Sequence, residues 1–287
     1  MATTPQSVNL KHGIHALSGG KGIPVILLPG WPETADAYSE MFSFIADHYQ
    51  TFAIDPPGLG ESAPSSGGYD TGTISKILEE SLRPFVGEPY HLVGHDVGGW
   101  IAYAWAAQFP EKVRSLTLLD CAVPGWASQP SFPLPYQVNL KLWQFSFNML
   151  PELPEALTQG RERELLNWLF DRKAAHPQKI TQAKRDRYVE SYARPGAMSH
   201  GFGYYRSCEL SASQNLELGK EKLQMPVLAL GGKSGMSDNM RKLMEPLAVN
   251  VQGGAIDDCG HYVMEEQPEI VARKLLNFFE HVDTTKV

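Results

Sequence analysis

Three residues that can cooperate in covalent catalysis occur where predicted strands end. Asp96 lies in the stretch Gly94-His95-Asp96-Val97-Gly98, after an apolar strand-like run and before a helix rich in small residues. Asp120 ends the next predicted strand, and His261 follows the last one. A nucleophile, an acid and a histidine in this chain order match the triad logic of hydrolytic enzymes. In the spacing Gly-x-nucleophile-x-Gly, however, a serine usually occupies the position of Asp96.

The elements that must position these residues alternate between strands and helices. Short β-rich runs occur at Pro24 to Gly30, Thr51 to Gly58, Tyr90 to Gly94, Val113 to Asp120, Met225 to Gly232 and Ala248 to Ile256. Near-continuous apolar strands separated by helices favour a mostly parallel sheet covered on both faces, so the predicted fold class is α/β. Ligands of such sheets bind at the carboxyl ends of the strands, where the three candidate residues are expected.

The alternation of strands and helices stops after Asp120. The following stretch is dense in prolines, at Pro124, Pro130, Pro133 and Pro135. Regular elements do not tolerate this density, and only helical patterns follow it as far as about Leu218. We interpret residues 124–218 as a helical cap, inserted into an α/β core that residues 1–123 and 219–287 form.

Composition excludes several classes of partner. The net charge of −7 gives no long-range attraction for nucleic acid or for anionic membranes. No signal peptide or stretch of about 18 apolar residues is evident, so we expect a cytoplasmic protein, either a monomer or a homodimer. The three cysteines are widely spaced and lack a Cys-x-x-Cys pair, which argues against both a disulfide framework and a zinc site.

The chain resembles the α/β-hydrolase superfamily, in particular its branch with an aspartate nucleophile. That branch includes epoxide hydrolases, haloalkane dehalogenases and haloacetate dehalogenases. The resemblance runs from about Ile14 to Phe279, and the segments that carry it are LLPGWPE, DPPGLGES, VGHDVGG, LTLLDCAVP, YARPGAM, YYR and GHYVMEEQPE. It implies an α/β-hydrolase fold with a cap, Asp96 as nucleophile, His261 as general base, and neither a metal nor a cofactor.

A carboxylate at this position has a chemical reason. A serine that attacked an epoxide or an alkyl halide would form an ether, which water does not readily cleave. A carboxylate that attacks the same sp3 carbon forms an ester, and a histidine-activated water can hydrolyse that ester at its carbonyl. Asp96 would therefore attack carbon in the first step, and His261 would activate water in the second.

The resemblance implies further site residues. It assigns the triad acid to Asp120, with Asp238 as the alternative because many relatives carry the acid after the following strand. The backbone N–H groups of Trp31 and Val97 would form the oxyanion hole. The family usually shows His-Gly-x-Pro before this loop, whereas this chain has Pro29-Gly30-Trp31-Pro32. The resemblance also implies a cis Trp31–Pro32 bond.

The residue that assists the leaving group distinguishes the three branches. Haloalkane dehalogenases usually place a tryptophan after the nucleophile, and haloacetate dehalogenases place arginines there, but this chain has Val97. Epoxide hydrolases use cap tyrosines to protonate the epoxide oxygen, and Tyr205 before Arg206 resembles the ring-opening tyrosine. Gln144 stands where relatives have a histidine or a tyrosine, and Trp143 and Gln144 together would also suit a halide.

The leading interpretation is an epoxide hydrolase that converts a small apolar epoxide and water to a vicinal diol through an ester on Asp96. The alternative with the same mechanism is a haloalkane or haloacid dehalogenase. A non-catalytic ligand-binding protein on the same scaffold is the third interpretation, because a fold does not fix a function.

Overall fold

An eight-stranded sheet forms the centre of the protein in the computed structural model, which describes residues 3–127 and 133–285. The strands are β1 (Gln6–Asn9), β2 (His15–Gly19), β3 (Pro24–Leu28), β4 (Gln50–Ile54), β5 (Tyr90–His95), β6 (Val113–Leu119), β7 (Val227–Gly232) and β8 (Val251–Ile256). Their order across the sheet is β1-β2-β4-β3-β5-β6-β7-β8, and every pair from β4 to β8 is parallel. The prediction of an α/β fold with a mostly parallel sheet is confirmed.

The α-helices are α1 (Ser39–Ala46), α2 (Thr71–Leu82), α3 (Val97–Gln108), α4 (Tyr136–Met149), α5 (Leu153–Thr158), α6 (Glu162–Lys173), α7 (Gln182–Tyr192), α8 (Ala197–Arg206), α9 (Cys208–Leu218), α10 (Asn239–Met244), α11 (Val263–Glu266) and α12 (Pro268–Thr285). Short 3₁₀ turns occur at Lys11–Gly13, Ala35–Tyr38, Pro110–Lys112 and Pro177–Lys179. Within residues 3–127 and 133–285, no helix combines the length and the apolar character that crossing a bilayer requires.

Helices α4 to α9 lie in the chain between β6 and β7, and we refer to them as the cap. Their residues fall within the segment predicted to be an inserted helical domain. Pro133 and Pro135 precede α4, which begins at Tyr136, while Pro130 lies outside the described residues. The cap shares one continuous apolar core with one face of the sheet.

The two faces of the sheet are covered by different helices. Helices α1 and α12 pack on one face, where their apolar side chains meet those of the strands. Helices α2, α3 and α10 pack on the other face, below the cap. Because both faces are covered, all residues of β3, β5 and β7 are buried. The sheet is therefore a rigid support for the loops at its edge.

Helix α3 is central to the fold. Every residue from Val97 to Ala106 is buried, so this helix has no solvent face. Its alanines and glycines allow close packing, as expected for a helix that is apolar on all sides. The residue before it, Asp96, is thus fixed between a buried strand and a buried helix.

The antiparallel pair at the amino end of the chain is absent from the sequence prediction. Strands β1 and β2 pair with each other and extend the sheet beyond β4. Strand β1 is mostly exposed, and β2 contains a serine and a glycine, so neither shows the apolar run that reveals the central strands. The pairing of β2 with β4, and of β1 with β2, stabilises these two strands, whose own sequences have little strand propensity.

Candidate active site

Asp96 stands on a strained turn between β5 and α3. Its backbone has φ 47° and ψ −119°, a conformation that non-glycine residues rarely adopt. Two neighbouring glycines make the turn possible. A Cβ at Gly94 would lie 2.3 Å from the Gly98 carbonyl oxygen, and a Cβ at Gly98 would lie 2.3 Å from the Leu28 carbonyl oxygen. This close packing explains the Gly-x-Asp-x-Gly spacing and presents the carboxylate at the carboxyl end of the sheet.

The loop after β3 contacts the Asp96 carboxylate. The Trp31 N–H donates to Oδ1 at 3.2 Å, and the Trp31–Pro32 bond is cis, as the resemblance implies. A Cβ at Gly30 would lie 2.4 Å from the Asp96 Cβ, so only glycine allows this approach. Val97 is the first residue of α3, where backbone N–H groups have no partner within the helix. Two N–H groups are predicted to form the oxyanion hole. The Trp31 N–H contacts the Asp96 side chain, and the Val97 N–H belongs to the residue that follows Asp96 in the chain.

His261 lies between the two aspartates predicted to accompany it. Its Nδ1 is 2.7 Å from Asp120 Oδ2, and its Nε2 is 3.4 Å from Asp96 Oδ2. The other oxygen of Asp120 accepts hydrogen bonds from the N–H groups of Gly232, at 2.9 Å, and Met236, at 2.7 Å. Asp120 is thus held in place and orients the imidazole so that Nε2 faces the Asp96 carboxylate.

The alternative acid, Asp238, lies elsewhere. Its side chain is exposed and accepts a hydrogen bond from the Ala255 N–H at 3.0 Å, in a turn next to β8. No contact between Asp238 and His261 exists in the described part of the chain. Of the two acids that the sequence leaves open, the structure brings only Asp120 to the histidine.

Electrostatics couple Asp96 and His261. Burial alone would raise the pKa of Asp96, but the adjacent His261 imidazole and the charge of Lys173 outweigh it, and its pKa lies well below its usual range. Burial and the charge of Lys173 lower the pKa of His261, whereas its contacts with Asp120 and Asp96 raise it, to about 9 in total. At neutral pH the resting site therefore holds an aspartate anion beside an imidazolium.

This coupling predicts how the basicity of His261 changes. We expect a midpoint near pH 9 in an NMR titration of the imidazole, since its pKa is raised to about 9. In Asp96→Asn we expect it to fall by roughly one unit or more, because a neutral side chain no longer stabilises the imidazolium. His281, exposed on α12, is the internal reference. An unchanged midpoint in the variant would show that Asp96 does not control the imidazole.

Tyr205 reaches the site from cap helix α8. Its ring packs among Trp31, Trp100 and Phe145, with centroid distances of 5.5 to 5.6 Å. The hydroxyl is buried and has no hydrogen-bond partner of acceptable geometry among the described residues. Burial and the charge of Asp96 raise the pKa of Tyr205 well above its usual value, while the adjacent Gln144 amide lowers it. The phenol is therefore neutral and free to donate.

The two other cap residues predicted to contact the substrate, Gln144 and Trp143, have different surroundings. Gln144 is fully buried beside the Tyr205 hydroxyl, and neither of its amide atoms has a hydrogen-bond partner in the described chain. Trp143 packs edge-on against Trp168 at 5.3 Å and lines a shallow cleft on the cap with Leu157. The structure thus brings Gln144 to Tyr205 and places the Trp143 ring against other cap side chains.

A cavity of about 140 Å³ opens over the three central residues. Asp96, Asp120 and His261 line it together with the apolar side chains of Trp100, Leu142 and Phe145. Two lysines that sequence reasoning missed, Lys141 and Lys173, line it as well. Nothing in the sequence marks either lysine, because both occur in ordinary helical patterns of the cap.

Comparison with known protein families identifies the family of this chain. A family model described as the α/β-hydrolase fold matches residues 23–268. The chain belongs to this family. The resemblance to α/β hydrolases read from the sequence motifs is therefore confirmed.

Three similar proteins illustrate the range of this family. The solved structure of Cfl2 from Burkholderia cenocepacia is 35% identical with a TM-score of 0.91, over 96% of this chain and 95% of the other. The soluble epoxide hydrolase of Corynebacterium sp. strain C12 is 28% identical over 93% of each chain. A fluoroacetate dehalogenase from a Burkholderia species is 23% identical over 92% of this chain and 90% of its own.

A buried pair, Glu33 and His95, contacts the loop that carries His261 in this α/β hydrolase. His95 Nδ1 is 2.9 Å from the Glu33 carboxylate, and His95 Nε2 is 2.9 Å from the His261 carbonyl oxygen. Both ring nitrogens of His95 thus face acceptor oxygens, and the pair fixes the backbone of the His261 loop. From the sequence, His95 is expected only to pack beside the turn that carries Asp96.

Glu266 anchors the same loop of this α/β hydrolase from the other side. Its carboxylate accepts hydrogen bonds from the N–H groups of Gly260 and Tyr262, which flank His261, at 3.0 to 3.2 Å. It also accepts from the N–H groups of Ala175 and His176, at 2.8 and 2.9 Å, in the loop after α6. One buried carboxylate therefore connects the cap to the loop that carries the histidine.

Glu266→Gln is expected to destabilise the protein by about 3 kcal/mol, because its amide nitrogen would face N–H groups that need an acceptor. Urea unfolding measures this loss. Glu269→Gln, an exposed substitution three residues further along, is the matched control and should change stability by about 0.5 kcal/mol or less. Equal stability of the two variants would contradict the anchoring role of Glu266.

Proposed function

We propose that the protein hydrolyses an epoxide to a vicinal diol through a covalent ester on Asp96. The observation that supports this most strongly is the buried hydroxyl of Tyr205, which has no partner among the described residues and interacts electrostatically with Asp96. An alkoxide is a poor leaving group at neutral pH unless a nearby acid supplies a proton. A neutral phenol that is close enough to Asp96 to interact with it electrostatically meets that need.

In the first step, Oδ2 of Asp96 attacks an epoxide carbon and the ring C–O bond breaks. Oδ1, which accepts from the Trp31 N–H, becomes the carbonyl oxygen of the ester. The departing ring oxygen takes the proton of Tyr205 and becomes the first hydroxyl of the product. The Gln144 amide, beside the phenol, can donate a hydrogen bond to the same oxygen but cannot transfer a proton.

In the second step, His261 accepts a proton from water, and the resulting hydroxide attacks the ester carbonyl. Formation of the ester has removed the charge of Asp96 that raised the pKa of the imidazole. The His261 imidazolium therefore releases its proton, which returns through solvent to the Tyr205 phenolate left by the first step, and the neutral imidazole is a competent base. Asp120 stabilises the imidazolium that forms. The N–H groups of Trp31 and Val97 stabilise the tetrahedral oxyanion until the acyl C–O bond breaks. The departing alkoxide takes a proton from the His261 imidazolium to complete the diol, and the new carboxyl group of Asp96 returns a proton to the imidazole.

Dehalogenation is the second candidate, because Lys173 lines the cavity beside Asp96 and could stabilise a departing halide. The same ester would form, and the same water would hydrolyse it. Against this candidate, Val97 supplies no indole after the nucleophile. The epoxide therefore remains the preferred substrate class.

A product assay in isotopically labelled water tests the proposal. The protein is mixed in excess with small epoxides and with matched haloalkanes and haloacids in H₂¹⁸O. We expect diol from the epoxides, and the first turnover should give diol without the label because its new oxygen comes from Asp96. Label in the first-turnover diol would indicate direct attack by water. Release of halide without any diol would support the second candidate, and no product from either class would support a non-catalytic protein.

A further inference from the structure

We infer that Lys173 and Lys141 form a carboxylate-binding subsite in the cavity above Asp96, and that the substrate is a small epoxide bearing a carboxylate. This inference rests on the proposed function, since it names the substrate class for that reaction. It differs from the apolar substrate predicted from the sequence.

Lys173 is the main component of this subsite. It is the last residue of α6, and its backbone carbonyl accepts the His261 N–H at 3.0 Å, which fixes the lysine above the histidine. Its side chain is only 8% exposed and lines the cavity. Among the described residues, its ammonium has no hydrogen bond and no carboxylate within ion-pair distance. A buried cation is normally paired with an anion. Because the Lys173 ammonium has no such partner in the described chain, an anionic ligand could supply it.

Lys141 stands at the same cavity from helix α4. Its ammonium donates one hydrogen bond to the Ser234 carbonyl oxygen. An ammonium has three N–H donors, so two remain for a ligand. In the described part of the chain it has no acidic partner. The two lysines are therefore the cations of this cavity that no carboxylate neutralises directly.

The charge of the cavity favours an anion. Its lining contains two acidic residues, Asp96 and Asp120, and three basic ones, His261, Lys141 and Lys173. Glu33 also interacts with Lys173, but its carboxylate contacts His95 at 2.9 Å. A substrate carboxylate would pair with these cations and replace the water that the Lys173 ammonium loses on burial.

The size and wall of the cavity limit the rest of the substrate. A volume of about 140 Å³ is close to that of a cavity known to hold benzene, so roughly six heavy atoms fit. Trp100, Leu142 and Phe145 offer an apolar wall and no further charge. A three- or four-carbon epoxide with one carboxylate matches the volume of the cavity, its apolar wall and its two lysines.

Two epoxides of equal size, glycidate and glycidamide, test the charge preference. We expect kcat/KM for glycidate to exceed that for glycidamide by at least about tenfold. Lys173→Met should reduce this ratio by about tenfold or more, and Lys141→Met should reduce it by a smaller factor. An effect of Lys173 on the basicity of His261 would change both substrates alike and leave the ratio unchanged. Lys76→Gln, an exposed substitution on α2, is the matched control and should leave the ratio at the wild-type value.

A second measurement does not depend on turnover. Cyclopropanecarboxylate and its carboxamide mimic the two epoxides but cannot be opened, and calorimetry measures their binding to the wild type and to both lysine variants. If the wild type binds the carboxylate more tightly than the carboxamide and Lys173→Met loses this preference, the subsite is supported. If the same protein hydrolyses no epoxide, only the proposed function fails. Equal binding of acid and amide by the wild type overturns the subsite, whether or not epoxides are turned over. If Lys173→Met does not fold, the wild type and Lys141→Met still decide.

Discussion

Replacing His261 with glutamine is expected to leave the ester on Asp96, so that the intact mass of the protein rises by the full mass of the epoxide. The first step needs the Asp96 anion and the Tyr205 proton, neither of which this substitution removes. The second step needs a base, and an amide cannot accept a proton from water. General-base catalysis contributes roughly 10² to 10⁴-fold, so ester hydrolysis should slow by about 10³-fold and the adduct should accumulate.

Two controls make the trapped ester specific. Asp96→Asn combined with His261→Gln should gain no mass, and peptide mapping should locate the adduct at Asp96 in the single variant. His281→Gln, an exposed substitution on α12, should turn over without an adduct. An adduct equal to an alkyl halide minus its halide, without one from any epoxide, would instead favour dehalogenation. Diol formation by the wild type with no adduct in His261→Gln would contradict the covalent mechanism.

The sequence predicts the parts of this site that local structure determines. The turn at Asp96 is such a part, because the two glycines that it requires, Gly94 and Gly98, lie two residues before and two residues after Asp96. The strands that end at Asp96 and Asp120 are also readable, since parallel strands buried on both faces show continuous apolar runs. The identity of the acid beside His261 is not readable, because Asp120 and Asp238 both follow central strands. Only their contacts in three dimensions distinguish them.

The residues that sequence reasoning missed act over long distances in the chain. Lys173 lies in the cap, and its position above the histidine depends on a backbone hydrogen bond to His261. Glu266 looks like an ordinary acidic residue of a short helix, yet it accepts from N–H groups 90 and 91 residues away. Glu33 follows a proline in a loop and meets His95 only after the sheet has formed. No periodicity or motif records such pairings, because they arise from the packing of the cap on the core.

Tyr205→Phe is expected to slow ester formation by roughly 10² to 10³-fold and to leave ester hydrolysis unchanged. The substitution removes only the hydroxyl, so the packing of the ring against Trp31, Trp100 and Phe145 is retained. Rapid quenching followed by intact mass measures the rate at which the adduct forms, and the decay of that adduct measures hydrolysis. Equal slowing of both steps would point to a general disturbance of the site, and an unchanged first step would remove Tyr205 from the mechanism.

The neighbouring tyrosine provides a matched control with the opposite pattern. The Tyr204 hydroxyl is also buried, but it donates to the Pro57 carbonyl oxygen at 2.8 Å. Tyr204→Phe should therefore lose about 1 kcal/mol of stability, because it leaves the buried Pro57 carbonyl oxygen unpaired. Its rate of alkylation should stay at the wild-type value. Tyr205→Phe should keep or gain stability, because its hydroxyl has no partner among the described residues in the resting protein. A loss of stability alone in Tyr204→Phe and a loss of alkylation rate alone in Tyr205→Phe would show that the first hydroxyl stabilises the fold and the second takes part in the reaction.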